Sequence, residues 1–282
     1  TELKPKAPRA DPHVCENTPF ADPDFPANRY ALVQLHRIRM TYCLGMLLKD
    51  GLVMIADTRT NAGVDNISTF RKLHRFDVPG ERALVMMTAG NLATTQAVVS
   101  LLEERTKAHD DRDPSILSVP SMFQAARLVA ETLRGVIDTH ASTGQRADSG
   151  FNATVILGGQ IKGGPPRLFL IYPEGNFIEA SVETPFFQIG ETKYGRPILV
   201  RAYERDMSFA DAMKLMLLSF DSTIKANLSV GLPLDVCFYD ADSFKCDNIL
   251  RIEADDPYFA AISDGWGDAL KLAFESLPNP EV

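Results

Sequence analysis

The sequence has little of what marks a secreted, metal-binding or membrane-spanning protein. Four cysteines occur among 282 residues, and they form neither a CxxC pair nor a cluster with histidine. They are too few for a disulfide framework, so we expect a reducing compartment and a cytoplasmic protein. The five histidines are scattered, which leaves no candidate metal-ligand set or triad base. No apolar run approaches the roughly 20 residues of a membrane span.

Positive charge is also scarce. Lysine and arginine together number 29 against 37 acidic residues, which gives a formal net charge of -8. This balance disfavours nucleic acid and anionic membranes as the main partners. The composition is otherwise that of a globular protein, with 45% hydrophobic and 23% charged residues, enough for one large domain or two small ones.

Residues 1–40 differ from the rest of the chain. Six of the 18 prolines fall there, without a sustained apolar period or the hydrophobic core of a secretory signal. We expect this segment to be a disordered leader or a pro-segment. An equally good interpretation is a start-site artefact, in which extra chain precedes a true start at Met40. Residues 41–282 are predicted to form the folded domain.

From Tyr42 onward, blocks of strands alternate with helices that come mostly in pairs. Lys49-Asp50-Gly51 and Pro79-Gly80-Glu81 predict tight turns, and Ser208 with Asp211 resembles a capping box. The predicted strands are 42–48, 52–56, 70–76, 83–87, 153–157, 168–172, 186–190, 234–239 and 248–252. The predicted helices are 91–107, 121–137, 196–203, 209–220 and 265–275. This order favours an α+β fold, a four-layer αββα sandwich with helices outside two stacked sheets.

The stretch Met40-Thr41-Tyr42-Cys43 precedes the first strand and suggests a nucleophile. If the upstream chain is removed, Thr41 carries a hydroxyl and a free α-amine, which is a nucleophile with its own base. Such an amine titrates at about 7.7–8.0 in model peptides. A nearby Lys⁺ would lower the pKa of both groups. Asp57 ends the second strand and Lys72 lies on the third, so adjacent antiparallel strands can bring this carboxylate and ammonium next to Thr41.

These residues closely resemble a known catalytic signature. Thr41, Asp57 and Lys72, with the string DTRTNAGVDNISTFRK that joins the last two, resemble proteasome β-subunits, and most closely their bacterial Anbu branch. The resemblance extends over residues 40 to about 275 and includes Met40-Thr41-Tyr42-Cys43. It implies the N-terminal nucleophile hydrolase fold and a threonine-type peptidase. Thr41 is then the nucleophile, Asp57 and Lys72 support it, and Gly90 takes the place of the oxyanion-hole glycine.

The sequence also departs from the classical pattern of that family. Ile189-Gly190-Glu191 has glutamate where the classical enzymes have serine, and the segment 226–231 keeps Ser229 but lacks the aspartate. The spacing from Asp57 to Lys72 is one residue shorter. Glu191 and Ser229 are therefore our candidates for orienting the Thr41 amine.

The resemblance implies a cytoplasmic bacterial enzyme that assembles with copies of itself into a ring or spiral. Its substrates would be peptides or unfolded protein segments, and it would need no metal or organic cofactor. Two alternatives stay open. The chain would be an N-terminal nucleophile amidase for a small or restricted amide, or a non-catalytic ring or scaffold subunit that keeps its leader. The sequence does not indicate an unfoldase partner.

Simpler roles for single residues also stay open. Asp57 can cap a loop and pair with Arg59, and Gly90 can be an ordinary turn glycine before Asn91. Cys43 lies in a predicted core strand without a nearby histidine, so we interpret it as a packing residue.

Overall fold

The structure is a computed structural model that describes residues 41–61, 67–107, 114–141 and 150–281. The leader or pro-segment predicted for residues 1–40 lies outside these ranges. A compact unit spans Arg39–Val282.

The described residues form strands and helices in much the predicted order. The strands are β1 Tyr42–Leu47, β2 Gly51–Asp57, β3 Arg59–Asn61, β4 Ile67–Thr69, β5 Leu73–Val78, β6 Arg82–Gly90, β7 Ala153–Ile161, β8 Arg167–Ile171, β9 Phe177–Glu179, β10 Phe186–Gly190, β11 Leu234–Asp240 and β12 Ile249–Ile252. The helices are α1 Leu92–Lys107, α2 Met122–Ala141, α3 Arg196–Ala202, α4 Phe209–Ala226 and α5 Pro257–Ser276.

Two antiparallel sheets of five strands each form the centre of the domain. Their strand orders are β10-β1-β2-β11-β12 and β5-β6-β7-β8-β9, while β3 and β4 pair as a separate ribbon. The sheets face each other through β1, β2 and β10 on one side and β6, β7 and β8 on the other. Met54, Met87 and Ile156 belong to the apolar cluster buried between them.

Helices cover the outer face of each sheet. α1 and α2 pack against β6, β7 and β8, whereas α4 packs against β1 and β2 and is itself contacted by α3 and α5. Each helix layer buries its own apolar cluster against its sheet. The predicted four-layer αββα sandwich is therefore confirmed. None of the helices in the described part of the chain is long and apolar enough to cross a membrane.

Local sequence signals explain several of these boundaries. The β1–β2 turn closes by a hydrogen bond from Leu48 N to Gly51 O of 2.9 Å. Asn91 Oδ1 caps α1 by accepting from Thr94 N at 3.0 Å. Ser208 Oγ caps α4 by accepting from Asp211 N at 3.1 Å. The turn predicted at Lys49-Asp50-Gly51 and the cap predicted at Ser208 are confirmed. Both caps satisfy backbone N–H groups that the first turn of a helix leaves without partners.

Other boundaries differ from the prediction. The strand predicted at 70–76 begins only at Leu73, because Phe70 N donates instead to Thr58 O at 2.8 Å. The short strands β3, β4 and β9 were not predicted. The last helix begins at Pro257 rather than Gly265, since Asp256 Oδ1 accepts from Phe259 N at 2.8 Å as an N-cap. Pro257 at the first helical position is a helix-start signal. The prediction missed this signal because two glycines, Gly265 and Gly267, interrupt the sequence pattern of the helix.

Gly159 offers a test of the close pairing between β6 and β7. Its φ of +146° is rare for other residues, and an added Cβ would overlap the carbonyl oxygen of Ala83. We expect Gly159→Ala to lower the free energy of unfolding by about 1–3 kcal/mol. Relieving the overlap would require the backbone of β6 or of β7 to move. Urea unfolding at fixed protein concentration measures this change.

Gly135→Ala is the matched control for that substitution. Gly135 lies on α2, and no neighbouring atom lies within 4 Å of an added Cβ. Alanine should stabilise this helix by about 0.5–1 kcal/mol through its higher helix propensity. Equal losses in the two variants would contradict the assigned pairing.

Candidate active site

Thr41 immediately precedes β1, which lies between β10 and β2. Its side chain is buried, with 7% of the residue exposed. The amide of Glu191 donates to the Thr41 carbonyl at 2.7 Å. Gly190, just before Glu191, has a φ of +83°, and an added Cβ there would overlap the same carbonyl. The turn after β10 therefore fixes the backbone of Thr41 and requires glycine at 190.

Asp57 and Lys72 form a buried ion pair beside Thr41. The Lys72 Nζ lies 2.8 Å from Asp57 Oδ1, and the two side chains are 6% and 0% exposed. The same carboxylate oxygen accepts from Tyr42 N at 3.0 Å, and Lys72 Nζ also donates to Arg59 O at 2.6 Å. Asp57 thus pairs with Lys72, whereas Arg59 contributes its carbonyl. The structure brings the three predicted residues together at one end of the sandwich.

The environment of Asp57 sets its protonation. Burial raises the pKa of Asp57 to about 6, an effect that the charge and hydrogen bond of Lys72 and the backbone amides of Tyr42 and Gly231 oppose. The carboxylate is therefore ionised near neutral pH. Water screens a buried pair poorly, so the Lys72 charge acts strongly on groups next to it.

The surroundings of Cys43 do not favour thiol chemistry. It is fully buried, and its Sγ donates to Thr88 O at 3.7 Å. Burial, together with the Asp57 charge, raises the pKa of the Cys43 thiol far above its usual range. The thiol stays protonated, which agrees with a packing role.

Gly90 ends β6, where the chain turns into α1. Its φ is +119°, and an added Cβ would overlap Asn152 O, so the backbone geometry alone requires glycine. Two residues earlier, Thr88 N donates to Lys72 O at 3.1 Å. Strand β6 therefore connects Gly90 with the ion pair. The role of the Gly90 amide as an oxyanion donor stays a prediction.

Glu191 and Ser229 lie on different segments that Asn227 connects. Ser229 is in the loop between α4 and β11. Asn227 Nδ2 donates to Glu191 Oε2 at 3.2 Å, and Asn227 Oδ1 accepts from Ser229 N at 3.0 Å and from Ser229 Oγ at 2.6 Å. The other carboxylate oxygen, Glu191 Oε1, accepts from Lys193 N at 3.2 Å. The two predicted residues thus belong to one hydrogen-bonded network next to Thr41.

Sequence reasoning missed three contributors to this site. The Tyr42 amide and the Arg59 carbonyl are backbone groups, which every residue type offers, so no side-chain signal marks them. Asn227 carried a weak signal, because an amide residue at the end of α4 and two positions before Ser229 can bond locally. No group of three or more His, Cys, Asp or Glu suited to a metal occurs in the ranges that the structure describes.

Comparisons with known proteins identify the family of the chain. The family model "Proteasome subunit" matches residues 40–238. Anbu (ancestral beta-subunit) from Yersinia bercovieri is 52% identical, with a TM-score of 0.80, and the match covers 86% of this chain and 100% of that one. The helical assembly of the Anbu complex from Pseudomonas aeruginosa gives 49% identity and a TM-score of 0.80, over 86% of this chain and 98% of that one.

A more distant relative is proteasome subunit beta 2 from Nitrosopumilus maritimus (strain SCM1). It is 26% identical over 207 residues, which are 73% of this chain and 88% of the relative. The family match covers well over half of the chain, and the resemblance to Anbu inferred from the sequence is confirmed at the level of the whole fold. The chain therefore belongs to the proteasome-subunit family and is similar to its bacterial Anbu members.

Proposed function

We propose that this protein is a threonine-type peptidase whose nucleophile is Thr41 Oγ once Thr41 is the N-terminal residue. One observation carries the proposal: the buried Asp57–Lys72 pair binds the amide of Tyr42, directly after Thr41. Removing two charges from water costs several kcal/mol per ion before their attraction is counted. A pair of this kind beside a candidate nucleophile is typical of active sites, where such perturbed groups cluster. Membership of the proteasome-subunit family supports the same reaction.

The first half of the reaction acylates Thr41. The free α-amine accepts the Oγ proton as Oγ attacks the carbonyl carbon of a peptide bond. The Lys72 ammonium favours the developing alkoxide by charge attraction, while Asp57 holds the ammonium in place. The Gly90 amide donates to the oxyanion of the tetrahedral intermediate. Collapse breaks the C–N bond, and the leaving amine takes the proton from the α-ammonium.

The second half releases the product. Water gives a proton to the same α-amine and attacks the ester carbonyl. The ester C–O bond then breaks, and the proton returns to Thr41 Oγ. Neither half needs a metal or an organic cofactor.

The reaction depends on a free Thr41 amine. In a peptide bond the Thr41 nitrogen is an amide, which cannot act as a base near neutral pH. Removal of residues 1–40, or synthesis from Met40 followed by loss of that methionine, exposes the amine. In support, 86% of this chain covers 100% of the Yersinia bercovieri Anbu chain, so the segment beyond residue 40 is long enough for a whole subunit.

The proposal also covers the assembly of the protein and its location in the cell. The protein acts in the bacterial cytoplasm as an oligomer of identical subunits, which the helical assembly of Pseudomonas aeruginosa Anbu supports. Exposed apolar side chains on and after α5 also favour association, with Leu272 68%, Phe274 78% and Leu277 66% exposed. Sites that face an inner space would admit peptides and unfolded segments rather than folded proteins.

Substitution of the nucleophile tests the proposed function. In a chain that begins at Thr41, Thr41→Ala should abolish peptide hydrolysis because it removes Oγ but keeps the amine. Thr41→Ser is the matched control and should retain part of the activity. Hydrolysis of a fluorogenic peptide library measures both, with the oligomer size checked by light scattering. Normal hydrolysis by Thr41→Ala would refute the nucleophile. Hydrolysis of small amides but of no peptide would favour the amidase alternative, and inactivity of the exposed wild type would favour the scaffold alternative.

The pH dependence should report both the amine and Asp57. Since an α-amine titrates at about 7.7–8.0 in model peptides and a nearby Lys⁺ lowers that pKa, the rate should fall as pH drops below the pKa of the amine. Because the pKa of Asp57 is raised to about 6, its carboxylate protonates below that pH and no longer holds Lys72 as an ion pair. We therefore expect the slope of log kcat/KM against pH to steepen from about one to about two near pH 6.

Steady-state kinetics between about pH 5 and 9 measure this profile. Circular dichroism over the same range is the control, because acid unfolding would also reduce the rate. A single slope down to pH 5 in a folded protein would contradict the role given to Asp57.

A further inference from the structure

The network of Glu191, Asn227 and Ser229 has a fixed hydrogen-bond polarity. A carboxylate such as that of Glu191 only accepts, so the Asn227 atom that faces it is the amide nitrogen. A backbone N–H only donates, so the Asn227 atom that faces Ser229 N is the amide oxygen. One orientation of the Asn227 amide satisfies both neighbours. Its reverse would place two acceptors together at one end and two donors at the other.

This polarity also determines what Ser229 can do. Ser229 Oγ lies 2.6 Å from Asn227 Oδ1, an atom that only accepts, so the serine hydroxyl proton points at Asn227. With its proton committed to Asn227, Ser229 Oγ has its lone pairs left, so it can act as an acceptor. Ser229 is 5% exposed, which keeps bulk water from competing strongly for this arrangement.

The network lies against the backbone of Thr41. Glu191 N donates to Thr41 O at 2.7 Å. This hydrogen bond holds the Glu191 backbone, from which the side chain extends, next to the candidate nucleophile. Thr58 holds the loop that carries Ser229. Thr58 N and Thr58 Oγ1 both donate to Pro233 O, at the end of this loop, at 3.0 Å and 2.8 Å. The loop is therefore anchored to the end of the strand that carries Asp57.

We propose that Asn227 is a positioning residue that makes Ser229 Oγ and the Glu191 carboxylate acceptors for the α-amine of Thr41. The inference rests on the proposed function, since this amine exists only when Thr41 is N-terminal. An amine that serves as a base needs its lone pair directed at its own Oγ–H. Acceptors for its N–H groups leave that lone pair available, whereas a serine that donated to the amine would occupy it.

A polarity swap between Asn227 and Glu191 tests this arrangement. Asn227→Asp places two carboxylates at the 3.2 Å contact and removes its donor. In Asn227→Asp/Glu191→Gln the glutamine supplies the donor, and the new carboxylate still accepts from Ser229 N and Oγ. The double variant therefore restores every bond of the network with the donor and acceptor reversed. Glu191→Gln and Asn227→Ala complete the set.

The first readout is the pKa of the Thr41 α-amine in chains that begin at Thr41, followed by NMR of isotope-labelled threonine. It needs no turnover, so it remains informative if the protein is not a peptidase. The formal charge of the pair is -1 in the wild type and in the double variant, -2 in Asn227→Asp and 0 in Glu191→Gln. We expect the amine pKa to be highest in Asn227→Asp, lowest in Glu191→Gln, and similar in the wild type and the double variant. The same pKa in all four chains would overturn the proposal.

The second readout separates positioning from simple charge and from folding. A β-lactone probe gives a maximal labelling rate constant and a half-saturation concentration. We expect Asn227→Ala and Asn227→Asp to lower the rate constant by about 10-fold or more, with little change in half-saturation, and the double variant to recover most of the rate. A double variant no faster than Asn227→Asp, with all chains folded, would contradict the proposal. Failure of the wild type to label would count against the peptidase function. The amine pKa of Asn227→Ala, which keeps the formal charge of the wild type, would then decide the inference: a shifted pKa would support it, and an unchanged pKa would overturn it.

Discussion

The buried ion pair of Asp57 and Lys72 is the constraint on which the site depends, because it joins the two sheets. Asp57 ends β2 in one sheet, and Lys72 directly precedes β5 in the other. Neither charge has enough water to replace its partner, so removing one would leave a buried charge at a cost of about 3–5 kcal/mol. The same contact therefore links the two sheets and places a buried charged pair next to Thr41.

Around this shared centre, the chain differs from the classical pattern where the Thr41 amine is expected. Glu191 brings a carboxylate to a position that the sequence comparison assigns to a hydroxyl, and Asn227 ties that carboxylate to Ser229. A negative charge near an amine favours its protonated form, so a smaller fraction of the amine is free to accept the Oγ proton at a given pH. The fold alone does not fix activity, so the proposed activity depends on these local differences.

Much of the sandwich was predictable because its elements carry local signals. Asn91 and Ser208 marked helix starts, and apolar runs marked β1 and β2. The ribbon of β3 and β4 was not, since three-residue strands are too short for a periodic pattern. In the site, resemblance indicated Asp57 and Lys72, but only the fold shows them 2.8 Å apart. Backbone partners such as the Arg59 carbonyl and long-range bonds such as Asn227 to Glu191 depend on tertiary contacts, which no local pattern encodes.

Thr41 Oγ is the proposed nucleophile, with the α-amine of the same residue as its base. The most direct measurement is mass spectrometry of the protein after treatment with an epoxyketone probe, which reacts with the hydroxyl and the amine of an N-terminal threonine. If Thr41 is the nucleophile, each subunit carries one probe, on a peptide that begins at Thr41, and Thr41→Ala carries no adduct. A folded chain with a free Thr41 that takes up no probe, or takes it up at Cys43 instead, would contradict this role of Thr41.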